Sequence, residues 1–309
     1  MRKEFHQTCW DEHVADDCRH LVRLAMREDL DQGYDWTTVA LVPADGRGSA
    51  TLVARERGVI AGLAAIPLIL EEIDAVVEWT PDCPDGAAVE PGQRLGVLRG
   101  LARDLLTSER LILNLVGRLS GIASLTRQYV DRIAGTSAHV YDTRKTCPGY
   151  RRLEKYAVRC GGGRNHRTGL FDGILIKDNH LAFGATDQRD RFSPRIAVEE
   201  ARSFLAATLP DRAGQMIIEI EVDSLEQFDD ALQAAPDIIL LDNMRPERMR
   251  EAVERRDRRA PEVQLEASGG VHLETILDIA KSGVERISVG ALTHSARCLD
   301  VALDWEPGT

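Results

Sequence analysis

From residue 138 onward, short β-rich apolar runs return at nearly fixed intervals, and this rhythm limits the possible folds more than any other feature. The runs are Ala138–Tyr141, Gly173–Ile176, Met216–Val222, Asp237–Leu241, Glu262–Glu266 and Glu285–Val289, the last four starting 21, 25 and 23 residues apart. Helix-like segments lie between them: Ser224–Ala235 with Ser224 as N-cap, Pro246–Arg256 with proline in its first turn, and Val271–Lys281 ending before Gly283. Strand, helix and strand at this spacing predict βα units and a parallel sheet. No G-x-G-x-x-G opens a helix and no G-x-x-x-x-G-K-S/T occurs, so neither common nucleotide-binding turn is present. Instead a polar or glycine-rich group follows each run: Asp142-Thr-Arg-Lys, Lys177-Asp-Asn-His, Glu219 and Glu221, Asp242-Asn, Ser268-Gly-Gly, and Gly290. Active sites of α/β barrels sit at that end of the strands, with phosphate often held by the last loops. The expected fold is therefore α/β, with a TIM-like barrel of incomplete strand count.

The first part reads differently. Helix is predicted over Arg19–Asp29 and Ile66–Val76, strand over Ala50–Arg55 and Arg94–Arg99, and helical periodicity runs from Leu105 through Leu119 to Ile133. The expected division is a smaller α+β domain over 1–112 and a barrel over 113–295, with 296–309 packing back on the first. The longest uncharged run, Gly58–Leu70, has thirteen residues and is broken by Gly62 and Pro67, against about 20 needed to span a bilayer. The opening Met1-Arg-Lys-Glu-Phe-His has no apolar stretch, and the six cysteines form no C-x-x-C pair, so a cytoplasmic chain with reduced thiols is expected. His6, Cys9 and His13 have helix-face spacing but no second ligand pair to complete a metal site.

Charge adds the first functional constraint. The net charge is −11, which argues against nucleic-acid or membrane partners. Yet Arg144–Arg167 holds eight basic residues against the single acid Glu154, a local +7 that leaves −18 on the rest. The same window contains Gly161-Gly162-Gly163. Glycines admit close backbone approach, and clustered Arg and Lys neutralise carboxylates and phosphates, so an anion site is expected here in preference to a solvated helix face. Lys155 and Arg159 are expected to be ordinary surface charges, and Arg151, Arg152 and Arg164 steering charges.

The stretch Asp142-Thr-Arg-Lys-Thr-Cys-Pro-Gly-Tyr-Arg, continued through Gly161-Gly-Gly-Arg-Asn-His-Arg-Thr-Gly-Leu to Ile174-Leu-Ile-Lys-Asp-Asn-His, closely resembles the quinolinate phosphoribosyltransferases. Further collinear blocks extend the resemblance over nearly the whole chain: Ser108-Glu-Arg, Glu219-Ile-Glu-Val, Leu240-Leu-Asp-Asn-Met, Leu265-Glu-Ala-Ser-Gly-Gly and Ile287-Ser-Val-Gly-Ala-Leu-Thr-His-Ser. The resemblance implies a Mg2+-dependent reaction of quinolinate with phosphoribosyl pyrophosphate, giving nicotinate mononucleotide, pyrophosphate and CO2. It implies that Arg110, Arg144, His166 and Arg167 hold quinolinate, Arg110 reaching from the partner subunit of a homodimer with shared active sites. Lys145 and Lys177 would bind the sugar phosphates and pyrophosphate. Glu221 and Asp242 would hold the ribose hydroxyls and Mg2+, although Glu219 points to the same strand face and could take the place of Glu221. Ser268, Gly269, Gly270, Gly290 and His294 would form a 5′-phosphate cradle.

Three departures from the family pattern concern loops: one extra residue between Glu28-Asp-Leu and Thr37-Thr, Cys147 and Tyr150 in place of commoner residues, and a polar insertion over Gly184–Pro194. The rival readings are a related pyrophosphorylase of the same fold (the molybdenum-associated relative, or a nicotinate-specific enzyme) and a non-catalytic phospho-ligand-binding barrel. The two basic pairs Arg144–Lys145 and His166–Arg167 favour a dicarboxylate, and Glu221 with Asp242 argues against a non-catalytic barrel.

Overall fold

A computed structural model describes residues 2–184 and 192–307 of the chain. It divides into two compact units, neither continuous in sequence. The first unit comprises Thr8–Arg127, Lys145–Gly163 and Ala291–Thr309; the other comprises Met1–Gln7, Gln128–Arg144 and Arg164–Gly290. The sequence-based division at 112/113 and 295/296 thus differs from the observed one in four places, one being that 291–295 join the first unit. The cut lies between Arg127 and Gln128, inside a single 31-residue helix, Ala102–Arg132. Residues 145–163 join the first unit, and the first seven residues join the parallel-sheet unit.

In the first unit, β1 (Arg47–Ala54), β2 (Val77–Pro81), β3 (Arg94–Leu101) and the C-terminal strand Val301–Pro307 form an antiparallel sheet in the order C-terminal strand, β1, β3, β2. The helix Glu12–Leu30 starts at Asp11, whose side chain accepts from Val14 N–H, and buries Val14, Cys18 and Val22 at helical spacing. The helix Arg151–Cys160 departs from expectation: Lys155 is fully buried with Leu153, Glu154, Ala157 and Val158. Glu154 is paired with Arg118 at 2.6 Å. The glycine run after this helix serves packing. A Cβ on Gly161 would meet the Ala123 carbonyl at 2.4 Å, and one on Gly163 would meet Val158 and Thr126 inside 3 Å.

The other unit carries six strands: β4 (His139–Tyr141), β5 (Ile174–Ile176), β6 (Ile218–Val222), β7 (Ile238–Asp242), β8 (Gln264–Ser268) and β9 (Arg286–Ser288). All lie within or overlap the six apolar runs. Every ladder is parallel, in the order β4, β9, β8, β7, β6, β5. No ladder joins β4 to β5 among the described residues, which makes the strand set an incomplete barrel; Arg164 adds one parallel bridge on β4. The helices match the expected ones at Leu225–Gln233, capped by Ser224, and Pro246–Arg259. The third is shorter than expected, Ile276–Ala280, because Gly269 and Gly270 have φ of +88° and +60° and a turn closed by Thr275 N–H on the His272 carbonyl follows.

The strand alternation sorts two layers. Val140, Ile220, Ile239, Leu265 and Ile287 form an apolar layer. The opposite face is charged: Tyr141, Glu219, Glu266 and Arg286 are each at most 1% exposed. Such a layer needs internal pairing. Arg286 Nε donates to Glu266 at 2.7 Å, Arg286 Nη1 donates to Glu4 at 2.8 Å, and the guanidinium lies 3.7 Å from the Tyr141 ring centroid. The residues preceding Thr8 complete this region. Lys3 donates to the Met216 carbonyl and pairs with Asp237, Phe5 packs with Ile217 and Ile238, and Gln7 exchanges hydrogen bonds with the Asn165 backbone.

Burial works against ionisation of Glu4, but Arg286, the Tyr141 hydroxyl and the Phe5 N–H together outweigh it and hold the carboxyl below its ordinary value. The stability this contributes is present above the unfolded carboxyl pKa and is lost as pH falls through the folded one. Thermal unfolding followed from pH 7 to pH 3 should therefore show an acid-side loss that is shallower in Glu4→Gln; an identical acid limb would refute the assignment.

Candidate active site

The parallel-sheet unit gathers ten of the thirteen expected residues: Arg144, His166, Arg167, Lys177, Glu221, Asp242, Ser268, Gly269, Gly270 and Gly290. Arg110, Lys145 and His294 belong to the other unit. Arg110 is exposed on the helix Ala102–Arg132 and makes no recorded hydrogen bond or ion pair with a described residue. Lys145 is exposed, with its backbone carbonyl accepting from Thr293 Oγ1, and His294 Nδ1 lies 2.7 Å from the Ser295 hydroxyl.

The basic segment is anchored by a buried acid. Asp142, directly after β4, accepts from the His166 N–H at 2.9 Å and from the Asn165 side-chain amide at 2.6 Å. His166 thereby turns into the charged layer: Nε2 lies 2.9 Å from Glu219 and 3.6 Å from Glu266, and Phe5 packs on the ring at 4.5 Å. Its Nδ1 accepts the Arg167 N–H at 2.7 Å. Burial opposes a charged ring, while Glu219 and Glu266 outweigh it and raise the proton affinity of His166 above the ordinary value. With Nδ1 accepting the Arg167 N–H, the ring proton lies on Nε2, facing Glu219 and Glu266. The donor atoms of His166, Glu219 and Glu266 lie within 4.8 Å of one another. Both carboxylates are ion-paired with His166, and Glu266 also with Arg286, so the set reads as an ion-pair cluster.

Arg167 is 7% exposed and donates to the Gly173 carbonyl at 3.3 Å. Burial, then the neighbouring Arg144 charge, pull its pKa below that of a free guanidinium. Two guanidiniums so placed repel, and the arrangement favours a multiply charged anion between or above them. Of the remaining cations in the basic window, Arg152 pairs with Asp17, Arg159 donates to the Gly163 carbonyl and Arg164 pairs with Glu4, so these have structural partners.

The acids lie at the C-terminal strand ends. Glu221 and Asp242 face a cavity of about 320 Å³, also lined by Asp178, Phe192, Ser193 and Gln227. Lys177, which ends the β5 segment, donates to Glu221 at 2.7 Å. Glu219, two residues earlier on β6, is fully buried under His166, which separates the two glutamates that the sequence alone leaves equivalent. Asp242 also accepts from Asn243, and Asn243 N–H donates to the Ser268 carbonyl. The late glycine loop is pressed on this residue: a Cβ on Gly269 would meet Asn243 Oδ1 at 2.2 Å. A larger open cleft of about 920 Å³ in the other unit is lined by Arg47 and Arg99 against Glu78 and Glu306, opposed charges with no cluster of expected site residues. The Gly184–Pro194 insertion falls mostly outside the described residues, at 185–191.

Sequence reasoning missed Asp142 as an anchor and the Glu266–Arg286–Glu4 chain. The even spacing of Glu219 with Glu221 and of Glu266 with Ser268 was the available signal, since each pair shares one strand face. Gly269→Ala should destabilise the unit by about 1–3 kcal/mol through strain at positive φ and the Asn243 clash. A urea midpoint unchanged from wild type would contradict this.

Comparisons with known proteins agree with this architecture. Residues 35–120 match the N-terminal domain of quinolinate phosphoribosyl transferase, and residues 122–304 match its C-terminal domain. The chain is 47% identical over 291 residues to a nicotinate-nucleotide pyrophosphorylase (carboxylating) of Mycobacterium leprae, covering 94% of this chain and 97% of that one. A probable enzyme of the same name from Bacillus subtilis is 40% identical over 256 residues, covering 82% of each. The structure of nicotinate-nucleotide pyrophosphorylase from Francisella tularensis superposes with a TM-score of 0.86 at 34% identity, covering 98% of this chain and 100% of that one. The parallel strands, the basic segment and the acids at the strand ends thus belong to a chain of the quinolinate phosphoribosyl transferase family.

Proposed function

We propose that this chain transfers the phosphoribosyl group from phosphoribosyl pyrophosphate to quinolinate with loss of CO2, giving nicotinate mononucleotide and pyrophosphate. The observation that carries the reading is the buried Arg167, which feels the charge of Arg144 and whose backbone N–H is held by His166 Nδ1. Quinolinate presents two adjacent carboxylates, and planar guanidinium forks match them bidentately. His166, Arg144 and Arg167 would orient the pyridine so that its nitrogen faces the ribose carbon. The ring nitrogen displaces pyrophosphate there, the pyridinium so formed stabilises the electron pair left as the neighbouring carboxylate departs as CO2, and that carbon then takes a proton from water.

Lys177, Glu221 and Asp242 supply the sugar and pyrophosphate end, with Lys145 as a further phosphate contact. Glu221 and Asp242 are hard oxygen donors from adjacent strands facing one cavity, a donor set that fits Mg2+. Bound there, Mg2+ would neutralise charge on the departing pyrophosphate. Ser268, Gly269, Gly270, Gly290 and His294 would form the cradle for the 5′-phosphate. The glycine-rich turn does not open directly into a helix, so its loop amides, rather than a helix end, carry that role.

The working unit in this reading is a homodimer in which Arg110 completes the partner's site, consistent with its exposure and its lack of a recorded partner. No helix among the described residues is long and apolar enough to cross a membrane, and all six cysteines are free. A cytoplasmic setting is part of the proposal, and the free thiols are compatible with it.

The deciding assay is CO2 release with quinolinate, phosphoribosyl pyrophosphate and Mg2+, alongside nicotinate as substrate; turnover of nicotinate alone would refute the reading. Asp242→Asn should weaken Mg2+-dependent donor binding while leaving quinolinate binding near wild type, as measured by calorimetry. Mixing inactive Arg110→Ala with inactive Lys145→Ala protein should restore roughly a quarter of wild-type activity, because half of randomly formed dimers then hold one intact site. If subunit exchange is verified and no activity returns, the shared-site arrangement is wrong.

A further inference from the structure

The charged layer inside the parallel-sheet unit has no place in the reaction as described. Barrel interiors are usually filled by branched apolar side chains, and an apolar filling avoids the desolvation cost of buried ions. Here Glu219, Glu266 and Arg286 are fully buried and Glu4 is tied to them. What apolar side chains cannot do is fix the orientation of an imidazole.

The connections lead to the anion site. Glu4 accepts from Arg286 and from the Tyr141 hydroxyl, and Arg286 donates to Glu266. Glu266 and Glu219 flank His166 Nε2. On its other edge, His166 Nδ1 accepts the Arg167 N–H, while the His166 N–H is taken by Asp142. Two successive backbone N–H groups are therefore fixed, one by a carboxylate and one by a ring that two carboxylates hold. Arg167 leaves the backbone at the end of this chain. Its charge is also felt by Glu219, which supplies negative charge beside the repelling Arg144–Arg167 pair.

We propose that Glu219 and Glu266, backed by Arg286 and Glu4, are positioning residues for pyridine dicarboxylate recognition, acting through the His166 ring to set the place of Arg167. The inference rests on the functional reading above and deepens it. None of the four touches substrate in this account. Their effect is confined to the dicarboxylate end, and the phosphoribosyl donor, held by Lys177, Glu221 and Asp242, is unaffected by them.

The test separates positioning from general stability by measuring both substrates. Glu219→Leu should raise the quinolinate Kd about ten-fold or more, with donor Kd within two-fold of wild type, because the buried carboxylate 2.9 Å from His166 Nε2 is lost. Glu219→Gln keeps an acceptor oxygen for Nε2–H and should recover most of that affinity. If Glu219→Leu does not fold, Glu4→Gln decides at the more exposed end of the chain, with an expected rise in quinolinate Kd of about three-fold and an unchanged donor Kd. Wild-type quinolinate affinity in the folded Leu variant, or in Glu4→Gln when that variant decides, overturns the inference, as does equal loss of both substrates. A wild-type protein that binds no quinolinate overturns the functional reading itself, a result distinct from unaffected variants of an active enzyme.

Discussion

Arg286 is the charge on which the interior of the parallel-sheet unit depends. It comes from β9, is fully buried, and holds one carboxylate from β8 and another from the segment before Thr8. Burial alone would penalise the guanidinium; Glu266, Tyr141 and Glu4 around it more than offset that penalty. Without it two buried acids beside His166 would face little positive charge, and Glu4 would lose its nearest cation. Removing one partner of a buried pair is costly because the other is stranded in a low-dielectric setting.

The same strands are used twice along their length. On β6 the interior residue Glu219 is followed two positions later by Glu221 at the cavity; on β8, Glu266 is followed by Ser268 before the glycine loop. A step of two residues keeps the side chain on one face and moves it about 6–7 Å along the strand. Each strand therefore pairs an internal tether with a residue at the reaction end, and rigid ladders fix the distance between them. In the proposed reading, the donor-binding acid and the dicarboxylate-binding cation are set by neighbouring parts of one sheet.

Much of this was legible in the sequence. The six strands stand out as apolar runs because parallel strands are covered on both faces. Ten of the thirteen candidate residues fall in the parallel-sheet unit, while Arg110, Lys145 and His294 do not. What was not legible has specific physical causes. Val271–Lys281 has helical spacing, but two left-handed glycines and a turn delay the helix to Ile276. Lys155 looks like a surface charge because nothing local reports that its helix is enclosed on that side. Glu219 and Glu221 are indistinguishable by period; only their partners, His166 and Lys177, separate them. The triglycine run looked like an anion turn and serves helix contact, since small size answers both needs.

The tie between Glu4 and Arg286 spans 282 positions of sequence. A ribosome therefore releases the acid long before its cation exists. Until β9 is made, Glu4 and Phe5 have no complete seat, and the half-built sheet lacks both the strand beside β8 and the segment that meets it. Contacts of such sequence separation are slow to close and are paid for in loop entropy before they return any stability. The region of the chain synthesised early is thus among the last to be fixed. Its docking marks completion of the unit, which makes occupancy of this seat a natural reporter of folding for the parallel-sheet unit.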